Sequence, residues 1–239
     1  MSSTANRRGG FYWVDGKPFV SVTQVLQVID KPALRYWYGN QIYWEMVKDP
    51  NLDEKEAMSR PYQTSKDAMA RGTTVHTIVE AWENIGDVRG LQSQFAGYAR
   101  AFDEWRQTFN PKPLEHERTV ISKKYGFAGT LDLLAEIGGE KYLIDVKTNA
   151  DANLYDEVQL QLSAYEQALK EAGERVHGLY GLALGENGEF NFKKFDSDLL
   201  TFLSVKRLWE WQNKGKCKKV GYSWLYKGDY YLEKGGDTK

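Results

Sequence analysis

The chain has 239 residues, 41% hydrophobic and 27% charged, which is enough apolar material for a large buried core and excludes a disordered chain. A net charge of -1 excludes global attraction to a polyanion, so any nucleic-acid site must be local. The single cysteine, Cys217, excludes an intrachain disulfide framework and a four-cysteine zinc or iron–sulfur centre, and with no bilayer-length apolar run and no secretory leader pattern a cytoplasmic protein is expected.

Met1 to Gly10 is small and polar and is expected to fray. Phe11 to Val14, then Asp15-Gly16, then Pro18 to Val20 reads as a hairpin, because Asp-Gly supplies the positive φ angles of a tight turn. Ser21 or Thr23 can then cap a helix. From Pro32 to Val47 apolar and aromatic residues recur at helical spacing, Tyr36 with Tyr43 and Trp37 with Trp44. The default reading of these rings is a core face, and the alternative is a stacking platform for unpaired bases. Helical patterns continue from about Gln63 to Asn84 and from Leu91 to Thr108, around a loop at Gly86 to Gly90.

After Asn110-Pro111 the texture turns to β-branched and alternating residues over Glu117 to Ser122, Gly126 to Ile137 and Lys141 to Lys147, a three-strand meander. A helix is expected from Tyr155 to Glu171, a strand over Val176 to Leu184, an Asn187-Gly188 turn, a short strand to Phe195 and a helix from Asp198 to Gln212. Lys214, Lys216, Lys218 and Lys219 form a basic run, read as a solvated face. The whole chain, residues 1–239, reads as one domain: a mainly helical part over about 20–110, an αβ core over about 111–213 and a basic segment over 214–239.

The stretch from Gly129 to Thr148 carries chemistry. If Gly138-Gly139 is the turn, Ile137 faces Glu140, Glu136 faces Lys141, Leu134 faces Leu143 and Asp132 faces Asp145. Glu136 and Lys141 then form an opposite-charge cross-strand pair, which supports that register. Directly opposed residues have Cβ atoms roughly 4.5–5.5 Å apart, close enough for two carboxylates to share one divalent cation. Alternation places Lys147 with Asp145 and turns Val146 into the core, its backbone carbonyl still able to face a cation. Two carboxylates and a lysine suit phosphodiester hydrolysis, and oxygen ligands select Mg2+, with Mn2+ as substitute. The simpler reading is a solubilising strand face, but burying acids in apolar strands is costly unless they are paired or bind metal. Glu117 has two placements: opposite Asp132, as a metal ligand or neighbour of the site, if the first meander turn centres on Lys124-Tyr125, and out of register with it if the turn is Tyr125-Gly126.

Gly129-Thr130-x-Asp132, Asp145-x-Lys147-Thr148 and Gln161-Leu162-x-x-Tyr165 together resemble the PD-(D/E)XK nuclease superfamily, in particular its RecB-like branch. Upstream, Gly72-x-x-x-His76 resembles that branch's histidine motif. Ser21-Val22-Thr23-x-Val25-Leu26, followed by Asp30-Lys31-Pro32-x-Leu34-x-x-Trp37, resembles phage-type exonucleases of this group. The resemblance spans roughly residues 20–170 and implies a restriction-endonuclease-like α/β core, a mixed β-sheet flanked by helices, with a helical N-terminal half lying over the site. It implies Asp132 and Asp145 as metal-binding acids, Lys147 as the catalytic lysine and His76 as a further metal ligand. Glu80, one turn beyond His76, is placed to orient it. Gln161, Tyr165 and Thr148 become residues that support the site or contact nucleic acid.

The activity so implied is a Mg2+-dependent DNA exonuclease of recombination, repair or phage DNA processing, acting on DNA with a free end or a single strand. Recombination or replication proteins are the candidate partners, and no membrane is involved. A structure-selective endonuclease and a nuclease-like DNA-binding module without catalysis stand as alternatives. Iron–sulfur relatives carry four cysteines that this chain lacks, so no iron–sulfur cluster is expected.

Overall fold

The computed structural model describes residues 6–63 and 95–223. The chain enters a sheet at once: β1 (Asn6–Arg8), β2 (Phe11–Val14) and β3 (Lys17–Ser21) form successive antiparallel pairs. Asp15 and Gly16 turn the second hairpin at φ angles of 50° and 73°, the left-handed backbone that a two-residue turn needs. The expectation that residues up to Gly10 fray is corrected for Asn6–Arg8, which pair with Trp13, Tyr12 and Phe11. Their exposed polar side chains carry no information about main-chain pairing along a sheet edge.

Ser21 occupies the N-cap of α1 (Val22–Leu26), but its hydroxyl meets Thr23 Oγ1 at 2.8 Å and makes no capping bond. Helix α2 (Pro32–Lys48) opens with proline, whose missing N–H costs nothing in a first turn. It buries none of its side chains, and Tyr36, Tyr43 and Trp44 are 74%, 59% and 55% exposed. The core reading of these rings is therefore corrected: helical spacing marks a face without saying what covers it. Residues 54–63 are helical. The rest of the helix expected from Gln63 to Asn84, the Gly86–Gly90 loop and the first residues of the helix expected from Leu91 lie outside the described residues.

Helix α3 (Ala96–Phe109) sets Tyr98, Phe102 and Trp105 along one face. Trp105 stacks on Phe102 with centroids 5.6 Å apart and meets Phe192 edge-on at 5.5 Å. Truncating a tryptophan buried this fully costs about 3–5 kcal/mol. Asn110, at φ 43°, ends the helix in a left-handed cap and Pro111 prevents its continuation.

The remaining strands are β4 (Lys112–Ser122), β5 (Phe127–Ile137), β6 (Glu140–Asn149), β7 (Gly178–Gly185) and β8 (Phe190–Phe195). Helix α4 (Glu157–Glu171) crosses between β6 and β7, and α5 (Leu199–Gln212) and α6 (Lys214–Val220) follow β8. The eight strands make one sheet in the order β1-β2-β3-β5-β6-β7-β8, with β4 also paired to β5. β3 with β5 and β6 with β7 are parallel, and the other pairs are antiparallel. Residues of α1, α4 and α5 pack on one face through Val25, Leu162 and Phe202, and α3 packs on the other, which makes the mixed α/β sheet flanked by helices that was expected. The basic run at residues 214–219 lies on α6, which turns Cys217 inward. Among the described residues no helix is long and apolar enough to cross a membrane.

Candidate active site

Gly138 and Gly139, at φ 61° and 88°, turn β5 into β6, and the expected pairs Ile137 with Glu140, Glu136 with Lys141 and Leu134 with Leu143 all form. The ladder ends one pair later, at Leu133 with Ile144. Along the same edge of β5, parallel β3 pairs only with Phe127 and Ala128. Gly129 to Asp132 therefore lie between two ladders, where the sheet splits. Asp132 was expected to continue the ladder opposite Asp145. Instead its Oδ2 accepts the backbone N–H of Val146 at 2.8 Å, so a side chain takes over from the next rung.

Asp145 is 1% exposed, while Val146, pointing the other way, enters the core with Ile144 and Leu182. Lys147 returns to the Asp145 face: its Nζ donates to Asp145 Oδ1 at 2.9 Å and lies 2.7 Å from Oδ2, with the lysine side chain 36% exposed. Burial alone would lower the pKa of Lys147. The charges of Asp145 and Asp132, the hydrogen bond to Asp145 and the charge of Glu157 hold it above the ordinary lysine value, so the group is an ammonium.

Helix α4 holds the acid from above. Gln161 Nε2 donates to Asp145 Oδ1 at 2.6 Å and approaches Tyr165 Oη at 3.4 Å. Tyr165 is buried, and desolvation followed by the charges of Asp132 and Asp145 keeps its phenol protonated well above the ordinary value. Its ring rests on Gly129: a Cβ there would stand 2.3 Å from Tyr165 Cε1. That contact explains the glycine of the Gly-Thr-x-Asp motif by close approach and not by backbone freedom.

Of the other expected residues, Glu117 lies at the register position across from Asp132, since Ser122 pairs with Phe127 and the Lys124-Tyr125 centring is the one that occurs. Its backbone is left-handed at φ 44° and its side chain is exposed. Thr148 follows Lys147 on β6, so alternation sets it on the Val146 face, away from Asp145. His76 and Glu80 lie outside the described residues. Sequence reasoning assigned no role in the site to Glu157 or Lys31. Glu157, one turn before Gln161 on α4, meets Lys31 Nζ through Oε1 at 2.5 Å. Partial burial acts to raise its carboxyl, but the hydrogen bond from Lys31, a backbone bond and the charges of Lys31 and Lys147 bring it below the ordinary value. The spacing from Gln161 was a usable sign for Glu157, whereas Lys31 was marked only as part of the Asp30-Lys31-Pro32 motif, with nothing local to tie it to the site.

The donor set is oxygen, which suits a hard divalent cation. Among the described residues no group of three or more His, Cys, Asp and Glu side chains is gathered to hold a metal. The fit rests on Asp145, whose buried Oδ2 accepts no hydrogen bond from any protein group although the Lys147 charge is close. The Lys147 ammonium pairs this oxygen by charge, and because it takes no directed hydrogen bond the oxygen keeps lone-pair capacity for a metal cation.

A sequence model of the PD-(D/E)XK nuclease superfamily matches residues 86–195, a span that contains β4 to β8 and α4. No curated protein matches the sequence significantly. Among solved structures the chain is similar to an alkaline exonuclease of Laribacter hongkongensis, at 13% identity and a TM-score of 0.43, covering 86% of this chain and 92% of that one. It is also similar to the protein SSO0001, at 15% identity and a TM-score of 0.39, covering 82% and 81%.

Proposed function

We propose, from the match of residues 86–195 to the PD-(D/E)XK nuclease superfamily, that the protein is a DNA exonuclease that hydrolyses phosphodiester bonds with a divalent cation, Mg2+ or Mn2+, held by Asp132 and Asp145. The observation that carries the reading is the buried Asp145 carboxylate, with one oxygen hydrogen-bonded by Gln161 and Lys147 and the other paired with the Lys147 charge at 2.7 Å while accepting no hydrogen bond. The Val146 carbonyl and His76 are the further ligands proposed. When bound, the cation supplies Lewis acidity toward a phosphate oxygen and a water of lowered pKa.

The chain's own groups do the rest. Gln161 fixes the Asp145 carboxylate by donating to Oδ1. Asp132, fastened through Oδ2 to the Val146 amide, cannot swing away from the split in the sheet. Lys147 remains protonated beside both acids and reaches solvent, where its ammonium is placed to stabilise negative charge that develops on the phosphate. Tyr165 stays a neutral phenol and closes the floor of the site against Gly129.

The test is digestion of end-labelled linear and circular DNAs, single- and double-stranded, with Mg2+, Mn2+, Ca2+ or excess chelator. Linear DNA should be degraded with Mg2+ or Mn2+, and circular DNA should survive. Ca2+ should support binding with little turnover, because its larger, flexible coordination suits the reactive geometry poorly. Cleavage of single-stranded circles would make the enzyme an endonuclease, and efficient digestion in chelator would remove the cation from the mechanism.

A further inference from the structure

We propose that Lys31 is a phosphate contact at the mouth of this site, and that in the unbound protein the Glu157 carboxylate stands where a DNA phosphate oxygen will lie. The inference rests on the nuclease reading and adds to it a substrate-binding residue outside the motifs of the sheet.

Three observations converge. First, Lys31 is the N-cap residue of α2, and its Nζ lies 2.5 Å from Glu157 Oε1, with side chains 49% and 25% exposed. The pair thus faces solvent, unlike the Asp145 contacts beneath it. Second, Glu157 is one turn from Gln161 on α4, on the face that carries Gln161 to Asp145. Its charge is felt at Lys147, and that of Lys147 at Glu157. Ammonium groups from two separate elements, α2 and β6, therefore act on one carboxylate. Third, that carboxylate lies in the first turn of a fifteen-residue helix, where the macrodipole favours negative charge of either kind.

A phosphodiester oxygen offers both lysines what the carboxylate offers, a charged acceptor for N–H donors. Exchange of Glu157 for phosphate would keep Lys31 paired and bring the bound strand beside Lys147. The neighbouring Arg35 is committed to Asp30 at 2.6 Å, on its own part of the chain. Lys31 differs in that its partner belongs to the helix of the site.

A purely structural role, a brace between α2 and α4, makes the opposite forecast for one of two variants. The experiment is fluorescence anisotropy of a labelled single-stranded oligonucleotide, in chelator, over a series of salt concentrations, with thermal unfolding of each protein recorded alongside. Lys31→Met should bind several-fold more weakly and reduce the slope of log affinity against log salt by about one. Glu157→Gln should bind several-fold more tightly, because it releases Lys31, and Lys31→Arg should behave as wild type. A brace predicts that Lys31→Met and Glu157→Gln weaken binding alike; that result, or wild-type affinity in both, overturns the assignment. Mg2+-dependent cleavage by the wild-type protein separates this from a failure of the nuclease reading. Cleavage with either of those results removes Lys31 alone, whereas a wild-type protein that neither binds nor cleaves DNA removes both.

Discussion

Asp132 Oδ2 accepts the Val146 N–H at 2.8 Å just beyond the last main-chain pair of β5 and β6. The carboxylate thereby satisfies a backbone donor at the split in the sheet and is fastened on the side where Asp145 emerges. Asparagine can accept the same bond through its amide oxygen but brings no charge. Asp132→Asn should therefore leave the unfolding temperature close to wild type and lower Mg2+-dependent cleavage by more than about 100-fold, the upper end of what loss of a mere ligand-orienting partner costs. Wild-type cleavage by this variant would take Asp132 out of the metal site.

Lys147 and Asp145 touch each other yet should fail differently. Lys147→Ala is expected to abolish turnover while calorimetric titration still shows the cation binding, because the ammonium acts on charge at the phosphate and not on the metal. Asp145→Ala should lose both cleavage and the titration heat. It also leaves Gln161 and the half-buried Lys147 without their acceptor, so a drop in stability is expected with it. Equal loss of metal binding in the two variants would contradict the roles assigned.

Much of this site is local in sequence, which is why it was legible. Two glycines with positive φ set the β5–β6 register, and the Glu136–Lys141 pair marks it in the sequence. Asp132, Asp145 and Lys147 then fall together by alternation alone. What alternation does not contain is the point at which a ladder stops: here β3 and β6 share one edge of β5, and a side chain replaces a rung between them. The Lys31–Glu157 pair was hidden for a related reason, since it depends on where α2 sits against α4 and no periodicity encodes that. Glu117 shows the reverse case: of the two registers left open, the one opposite Asp132 occurs, but the residue there is exposed and left-handed.

The exposure of Tyr36, Tyr43 and Trp44 bears on substrate form. Tyr36, Tyr43 and Val47 follow one stripe of α2, a helix that starts at Lys31 beside the site. Base–ring stacking contributes about 1–3 kcal/mol per base, so Tyr36→Ala and Tyr43→Ala should each weaken single-strand binding at least about 5-fold. Duplex affinity should change less. Unchanged single-strand affinity in folded variants would show that this face does not contact the strand.

Glu174 provides a pH-dependent check on the fold away from the site. A hydrogen bond from Arg118 outweighs partial burial and, with Lys141, holds its carboxyl below the ordinary value. A carboxylate depressed in the folded state stabilises the protein above its unfolded pKa, and that contribution disappears as pH falls through the folded value. Glu174→Gln should thus be less stable than wild type by about 0.5–1 kcal/mol at neutral pH. In urea denaturation the difference should shrink below about pH 4. A difference that persists undiminished in acid would assign the effect to packing.

Gly129 is where stability and the site meet. A Cβ at this position would lie 2.3 Å from Tyr165 Cε1 and 2.9 Å from Cζ and Oη, distances that require the ring to move. Tyr165 is 2% exposed and packed in the core shared by β5 and α4, so it has little room to do so. Overpacking of this kind costs about 1–3 kcal/mol. Moving the ring also disturbs Gln161, which approaches Tyr165 Oη at 3.4 Å while holding Asp145 Oδ1 at 2.6 Å. Gly129→Ala is therefore expected to lower both the unfolding temperature and cleavage, although the three atoms nearest the added methyl all belong to Tyr165 and not to a carboxylate. The double variant Gly129→Ala with Tyr165→Leu, which removes the colliding ring, should recover much of the stability but not the activity. If activity returned with stability, Tyr165 would matter to this site only through packing; if neither returned, the strand itself, and not the ring, would be what alanine displaces.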